Sequence, residues 1–149
     1  MIGDLEMNNR NPLEAFVPQA LAALRIVTGL LFMQHGMQKL LLWPLSPHHP
    51  GPVPLFSLFG VGGFNELVGG SLVAAGLLTR PAVFVLAGQA AVAYWAFHFA
   101  NGVSQPNGWM PVVNGGDSAI QFCFVFLFLF FAGPGKWSLD GLRHARGSN

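Results

Sequence analysis

A chain of 149 residues with 52% hydrophobic and only 9% charged residues falls outside the soluble class, where roughly 25% of residues are charged. A net charge of +1 with no basic stripe excludes a nucleic-acid surface. The single cysteine, Cys123, excludes an internal disulfide, a paired-thiol redox motif and a cysteine zinc site, so redox chemistry here needs a bound organic cofactor or a partner.

In chain order, the polar, partly acidic start MIGDLEMNNRNPLE does not read as a secretory leader. The first apolar block, about 15–43, is long enough to cross a bilayer and carries Arg25, His35 and Lys39. Prolines 44, 47, 50, 52 and 54 then forbid a regular helix. Residues 55–59 read as a short interfacial turn ahead of a flexible GVGG. The second span is placed at about 62–79. Only thirteen uncharged residues separate Glu66 from Arg80, so this helix must carry Glu66 into the membrane. Pro81, suited to a first helical turn, opens the third span at 81–99. A turn-rich loop follows, and the fourth span occupies 117–132, with Ser118-x-x-Gln121 as a capping box and Asp117 as the competing cap. Gly133-Pro134-Gly135 stops it.

The expected architecture is therefore all-α, a single domain over 1–149: an integral-membrane bundle of four transmembrane helices. Arg10, Arg80, Lys136, Arg143 and Arg146 fall on one side, with Arg25 reaching toward it, which places both termini in the cytoplasm. Small-residue pairs at Gly70/Ala74, Ser71/Ala75 and Ala87/Ala91 mark candidate packing seams.

Ionisable groups inside a span are costly, and they are where function is sought. His35 and Lys39 share a helical face, and Arg25 lies about 21 Å away toward the other leaflet. Threading the topology brings His35, Lys39, Glu66, His98 and Asp117 to the outer half, with Gln34, Gln38, Asn65, Asn114, Gln121, Tyr94 and Trp95 at similar depth. The structural alternatives are plain. Lys39 and Glu66 can neutralise each other, Asp117 can be only a cap, and the histidines can be satisfied by carbonyls or water. A bis-histidine haem is disfavoured because His98 sits near the surface. His48 and His49 lack a matching carboxylate or thiolate and read as solvated rather than metal-binding.

The ordered segments RIVTGLLFMQHGMQKLL, FNELVGGSLVAAGLLTRPA, PNGWMPVVNGGDSAIQF and AGPGKWSLD resemble the DoxX family of small bacterial membrane proteins, over about Leu24 to Asp140. The most specific matches are Arg25, His35-Gly36, Lys39, Glu66, the run Gly76 to Arg80, and Gly133-Pro134-Gly135 through Ser138-Leu139-Asp140. The 44–54 loop is longer than the family usually carries. The resemblance implies a four-helix bundle in the bacterial inner membrane. Through a relative, the DoxD-type subunit of thiosulfate:quinone oxidoreductase, it also implies quinone-linked redox or oxidative-stress work. The resulting expectation is a quinone-interacting subunit of an oxidoreductase, acting with a protein partner or as a homo-oligomer. His35, Lys39, Glu66 and Asp117 would carry donation and proton relay. His35, Gln38, Lys39, Trp95, His98 and Gln121 would bind the quinone, with Trp95 and the phenylalanines of the fourth span along the ring. A non-enzymatic scaffold for a soluble oxidoreductase and a proton-coupled small-solute transporter are the alternatives.

Overall fold

The computed structural model describes residues 11–45, 51 and 53–147, and among these every regular element is helical. A 3-10 turn, Pro12–Phe16, leads into α1 (Val17–Leu41); Asn11 Oδ1 accepts from Leu13 N at 3.0 Å to start it. Then come α2 (Leu58–Ala75) and α3 (Thr79–Ala93), which continues through a π-helical turn, Tyr94–Phe99, to Gly102. After a one-turn helix at Pro111–Asn114 follow α4 (Asp117–Ala132) and α5 (Leu139–Gly147). Three stretches, Pro12–Leu41, Leu58–Ala75 and Thr79–Gly102, are long and apolar enough to cross a membrane. The 16 residues of α4 give about 24 Å, short of the roughly 30 Å hydrocarbon core.

Two helix starts differ from expectation. Ser57 caps α2, its Oγ accepting from Gly60 N at 3.0 Å, so the helix begins at Leu58 and GVGG is helical rather than a flexible hinge. At α4 the cap residue is Gly116 and no side chain caps it. Neither the Ser118/Gln121 box nor an Asp117 cap forms, and Asp117 instead takes the first helical position, where its charge suits the helix dipole.

The surface is apolar where a soluble protein would be polar. Phe124, Phe128 and Phe131 on α4 and Phe84 on α3 point outward, while Arg25 and Glu66 are buried. Such a surface needs lipid. The four tryptophans, Trp43, Trp95, Trp109 and Trp137, are each 61–68% exposed, as interfacial aromatics are. Inside, Phe32, Val73, Val83, Leu86, Phe126 and Leu129 form the core, with the Phe32 ring edge-on to Phe126 at 4.9 Å.

The α1–α2 seam is made of glycine. Gly29 lies against Gly70 and Ala74, and Gly36 against Gly63 and Leu67, in an antiparallel register with a seven-residue repeat on both helices. A Cβ on Gly29 would stand 2.5 Å from Ala74 N, and one on Gly70 would stand 2.6 Å from Met33 N, so the two backbones touch. Of the anticipated small pairs, Gly70/Ala74 lies in this seam, while Ser71 and Ala75 are exposed. Helices α3 and α4 make the second close pair, whereas α2 and α3 meet more loosely.

At the end of the bundle where α2 turns into α3, the chain locks on itself. Arg25 does not reach out to an interface; it is fully buried. Its Nη1 donates to Val73 O (2.7 Å) and Ala74 O (2.6 Å), the last carbonyls of α2. Nε donates to Pro134 O (2.7 Å), and Nη2 to Trp137 O (2.9 Å) and Lys136 O (3.3 Å). Gly76 ends α2 in the left-handed region, φ +66°, and a side chain there would strike both Ser138 and the Arg25 guanidinium. The Asp140 carboxylate accepts from Leu78 N (2.9 Å) and Thr79 N (2.8 Å), capping α3 from a distant segment. Burial raises the Asp140 pKa, but the amide donors of Thr79 and Leu78, with Arg143 nearby, outweigh it and hold the carboxyl below its ordinary value.

Candidate functional site

At the opposite end, the looseness of the α2–α3 contact leaves a cavity of about 690 Å³ between α1, α2 and α3. That volume lies within the range of roughly 300–1,000 Å³ usual for small-molecule sites. Its apolar walls include Phe59 and Phe97, whose rings meet at 4.8 Å, with Val61 and Val92. Its polar side chains are His35, Gln38, Lys39, Asn65, Glu66, Gln89, His98 and Ser118. A recess of about 130 Å³ lies beside it, sharing His35, Lys39, Glu66, Gln89, His98 and Ser118, and is floored by Phe32, Ala119 and Phe122.

An ion pair anchors this end. Lys39 Nζ donates to Glu66 Oε1 at 2.6 Å, with the two side chains only 16% and 8% exposed. Gln89 Nε2 donates to the same oxygen at 3.2 Å and to Gly62 O at 3.0 Å, so one amide bridges α3 to α2 and buttresses the carboxylate. His98 lies in the π-helical turn, a kind of distortion that often marks functional sites. Its Nδ1 is 3.2 Å from Asn114 O. A carbonyl only accepts, so Nδ1 carries the hydrogen and Nε2 of the neutral ring is the acceptor. His35 sets its ring edge-on to Phe122 (5.9 Å, 89°) and to Phe32 (6.3 Å, 66°). This histidine is exposed along α1 rather than enclosed by the helices.

The structure brings together His35, Gln38, Lys39, Glu66 and His98 and leaves out the other three expected residues. Asp117 is exposed and does not line the cavity; its neighbour Ser118 does. Gln121 is exposed on α4 and turned away. Trp95 is 61% exposed and packs against Tyr94 and Phe99 rather than along the cavity. The aromatic lining comes instead from Phe59 and Phe97, with Phe122 alone from α4, in the recess. Gly36 offers no open backbone for a ring, since its free side is filled by Gly63 and Leu67. Asn114 is engaged in its own loop, with Nδ2 on Gly108 O and Oδ1 on Gly116 N. His48 and His49 lie outside the described residues.

Gln89 is the residue that sequence reasoning missed. The signal was present: a lone amide in the middle of an apolar span, costly in lipid without a partner. Among the described residues no group of three or more His, Cys, Asp or Glu is placed to hold a metal ion.

The family model for DoxX matches residues 20–99. An uncharacterised protein of Haemophilus influenzae is 37% identical over 130 residues, covering 87% of this chain and 95% of that protein. An uncharacterised membrane protein of Mycobacterium tuberculosis is 28% identical over 140 residues, covering 86% of this chain and 83% of its own length. No solved structure matches the chain.

Proposed function

Since the chain belongs to the DoxX family, we propose that it acts in the bacterial inner membrane as a quinone-interacting subunit of an oxidoreductase. In this reading all four apolar helices span the bilayer, the short α4 included, and both termini face the cytoplasm. The observation that carries it is the convergence of His35, Lys39–Glu66, Gln89 and His98 at the polar side of an otherwise apolar cavity of about 690 Å³. A quinone asks for this combination: an apolar slot for the ring, donors for the carbonyls and a proton route.

The residues present fit such a group. A bound quinone would supply the electron-accepting chemistry that the side chains lack. His35 donates a hydrogen bond at the cavity wall. Lys39 pairs with Glu66 beside it, and Gln89 fixes the carboxylate in place. The Nε2 of His98 accepts and returns a proton near the loop end of the bundle, with Nδ1 tied to Asn114 O. Electrons come from a partner protein or a small reductant.

The test is organic extraction of purified protein and chromatography for bound quinone, with melting temperature measured in parallel. His35→Ala is expected to stay folded and lose quinone, while His48→Ala and His49→Ala keep it. Unchanged occupancy in a stable His35→Ala protein would defeat the assignment.

One observation favours a second reading, a non-enzymatic scaffold that docks a soluble oxidoreductase. Lys39 and Glu66 already form a short bond with each other, as a purely structural pair does. Co-purification of a soluble partner with no quinone in the extract would select that reading.

A further inference from the structure

Helices α1 and α2 close on glycine and α3 closes on α4, but α2 and α3 are held apart. They touch where Gln89 reaches Gly62 and where Leu86 covers Gly69, whose missing side chain leaves space: a Cβ there would stand 2.8 Å from Leu86 Cδ2. Below the polar cavity the same seam forms a second hollow, of about 260 Å³. Val68, Gly69 and Leu72 of α2 line it, with Pro81, Ala82 and Leu86 of α3. Asn65 is the one polar residue among the described residues lining it, and Asn65 and Val85 line both hollows. Polar cavity and apolar trough therefore adjoin, with Asn65 and Val85 in the wall of each. The trough follows about eight residues of each helix, roughly 12 Å, toward the Arg25 end.

We propose that the two hollows form one site for a head-and-tail ligand, with a neutral ring in the polar cavity and an unbranched or prenyl tail in the α2–α3 trough. The ring's identity rests on the quinone reading; the tail's place rests on the shared wall of the two hollows. The head is neutral because the charge of Lys39 is already matched by Glu66. Among the described residues lining the cavity no second lysine or arginine remains to hold a phosphate, which sets the ligand apart from an anionic phospholipid. The bilayer already solvates a tail, so the trough gains by fit and not by hydrophobicity, and filling it with a side chain removes that gain.

The probes are a dimethoxy-methyl-benzoquinone bearing a decyl tail, the same ring without the tail, and the tailed ring with a diazirine at the tail's end. Binding is measured on the full chain in nanodiscs, for wild type and for Val68→Trp, which fills the trough without touching the polar cavity. The tailed ring is expected to bind Val68→Trp at least about tenfold more weakly, a loss of ~1.4 kcal/mol. The bare ring should bind both proteins alike. In wild type the diazirine is expected to label residues within 64–72 and 78–86. Equal affinity of the tailed ring for both proteins, or label on the outward face of α4, overturns the trough while leaving the quinone reading intact. Failure of both rings to bind wild type removes the quinone reading, and this inference with it.

Discussion

Replacing Lys39 by Met leaves the Glu66 carboxylate, 8% exposed, without its cation. Gln89 then remains as a neutral donor 3.2 Å from the carboxylate. At 2.6 Å, and with an effective dielectric of about 20, the gross attraction of the pair is on the order of 6 kcal/mol. Desolvation of both groups offsets much of that, so the net worth of the pair is small while the cost of orphaning one member is large, about 3–5 kcal/mol. Lys39→Met and Glu66→Gln are each expected to lose that much. The double variant buries no unmatched charge and should lose only about 1–3 kcal/mol, less than either single change. Thermal unfolding of the four proteins in one detergent reads this out. At roughly 2–4 °C per kcal/mol for a chain of this size, the single variants should melt on the order of 10 °C lower and the double variant should recover most of the loss. Additive losses in the double variant would refute the reasoning, because they would mean that each residue answers to its own surroundings and not to the other.

Arg25→Lys keeps the charge but replaces a planar fork serving five carbonyls with a single ammonium. It is expected to lower stability by about 3 kcal/mol or more, seen as earlier unfolding and faster proteolysis of the C-terminal segment. Gly36→Ala places a methyl 2.5 Å from Gly63 O, so α1 and α2 must separate; a fall in melting temperature is expected, whereas Gly88→Ala, at an open position, should be neutral. Cysteines introduced at Gly3 and Ser148 should resist impermeant thiol reagents in intact cells while one at Ser46 reacts, and the reverse pattern would invert the proposed topology.

The helices were legible because lipid leaves little freedom: apolar runs between proline- and glycine-rich breaks have few other readings. Helix α3 and the end of α4 at Gly133 fall where the pattern puts them. Lys39 and Glu66 could be paired from depth alone, since two opposite charges on neighbouring spans at one level have nowhere better to go. What stayed hidden depends on which face a residue presents. Gly70 was legible as a packing position, but Gly63 and Gly69 read as flexibility in water, yet in lipid they are contact surface, and the seven-residue spacing that Gly63 and Gly70 share with Gly29 and Gly36 has meaning only once the helices are paired. Asp117 and Gln121 have the right depth and the wrong azimuth, a rotation that hydropathy does not encode. Arg25 looked like a side chain stretching to an interface because its acceptors, the carbonyls of residues 134, 136 and 137, are backbone atoms more than a hundred positions away.

That separation bears on how the protein is made. A ribosome delivers Arg25 to the membrane long before it delivers Pro134, and in the interval the guanidinium has only the carbonyls of Val73 and Ala74 to meet, once α2 has arrived. The first helix must therefore wait in the bilayer with an incompletely solvated charge, favouring a shallow or tilted pose until the turn after α4 closes around it. Release of the last segment then changes the state of the first. A chain halted before residue 134 would expose an unmatched arginine within the membrane, the kind of defect that a membrane protease can recognise without inspecting the rest of the fold.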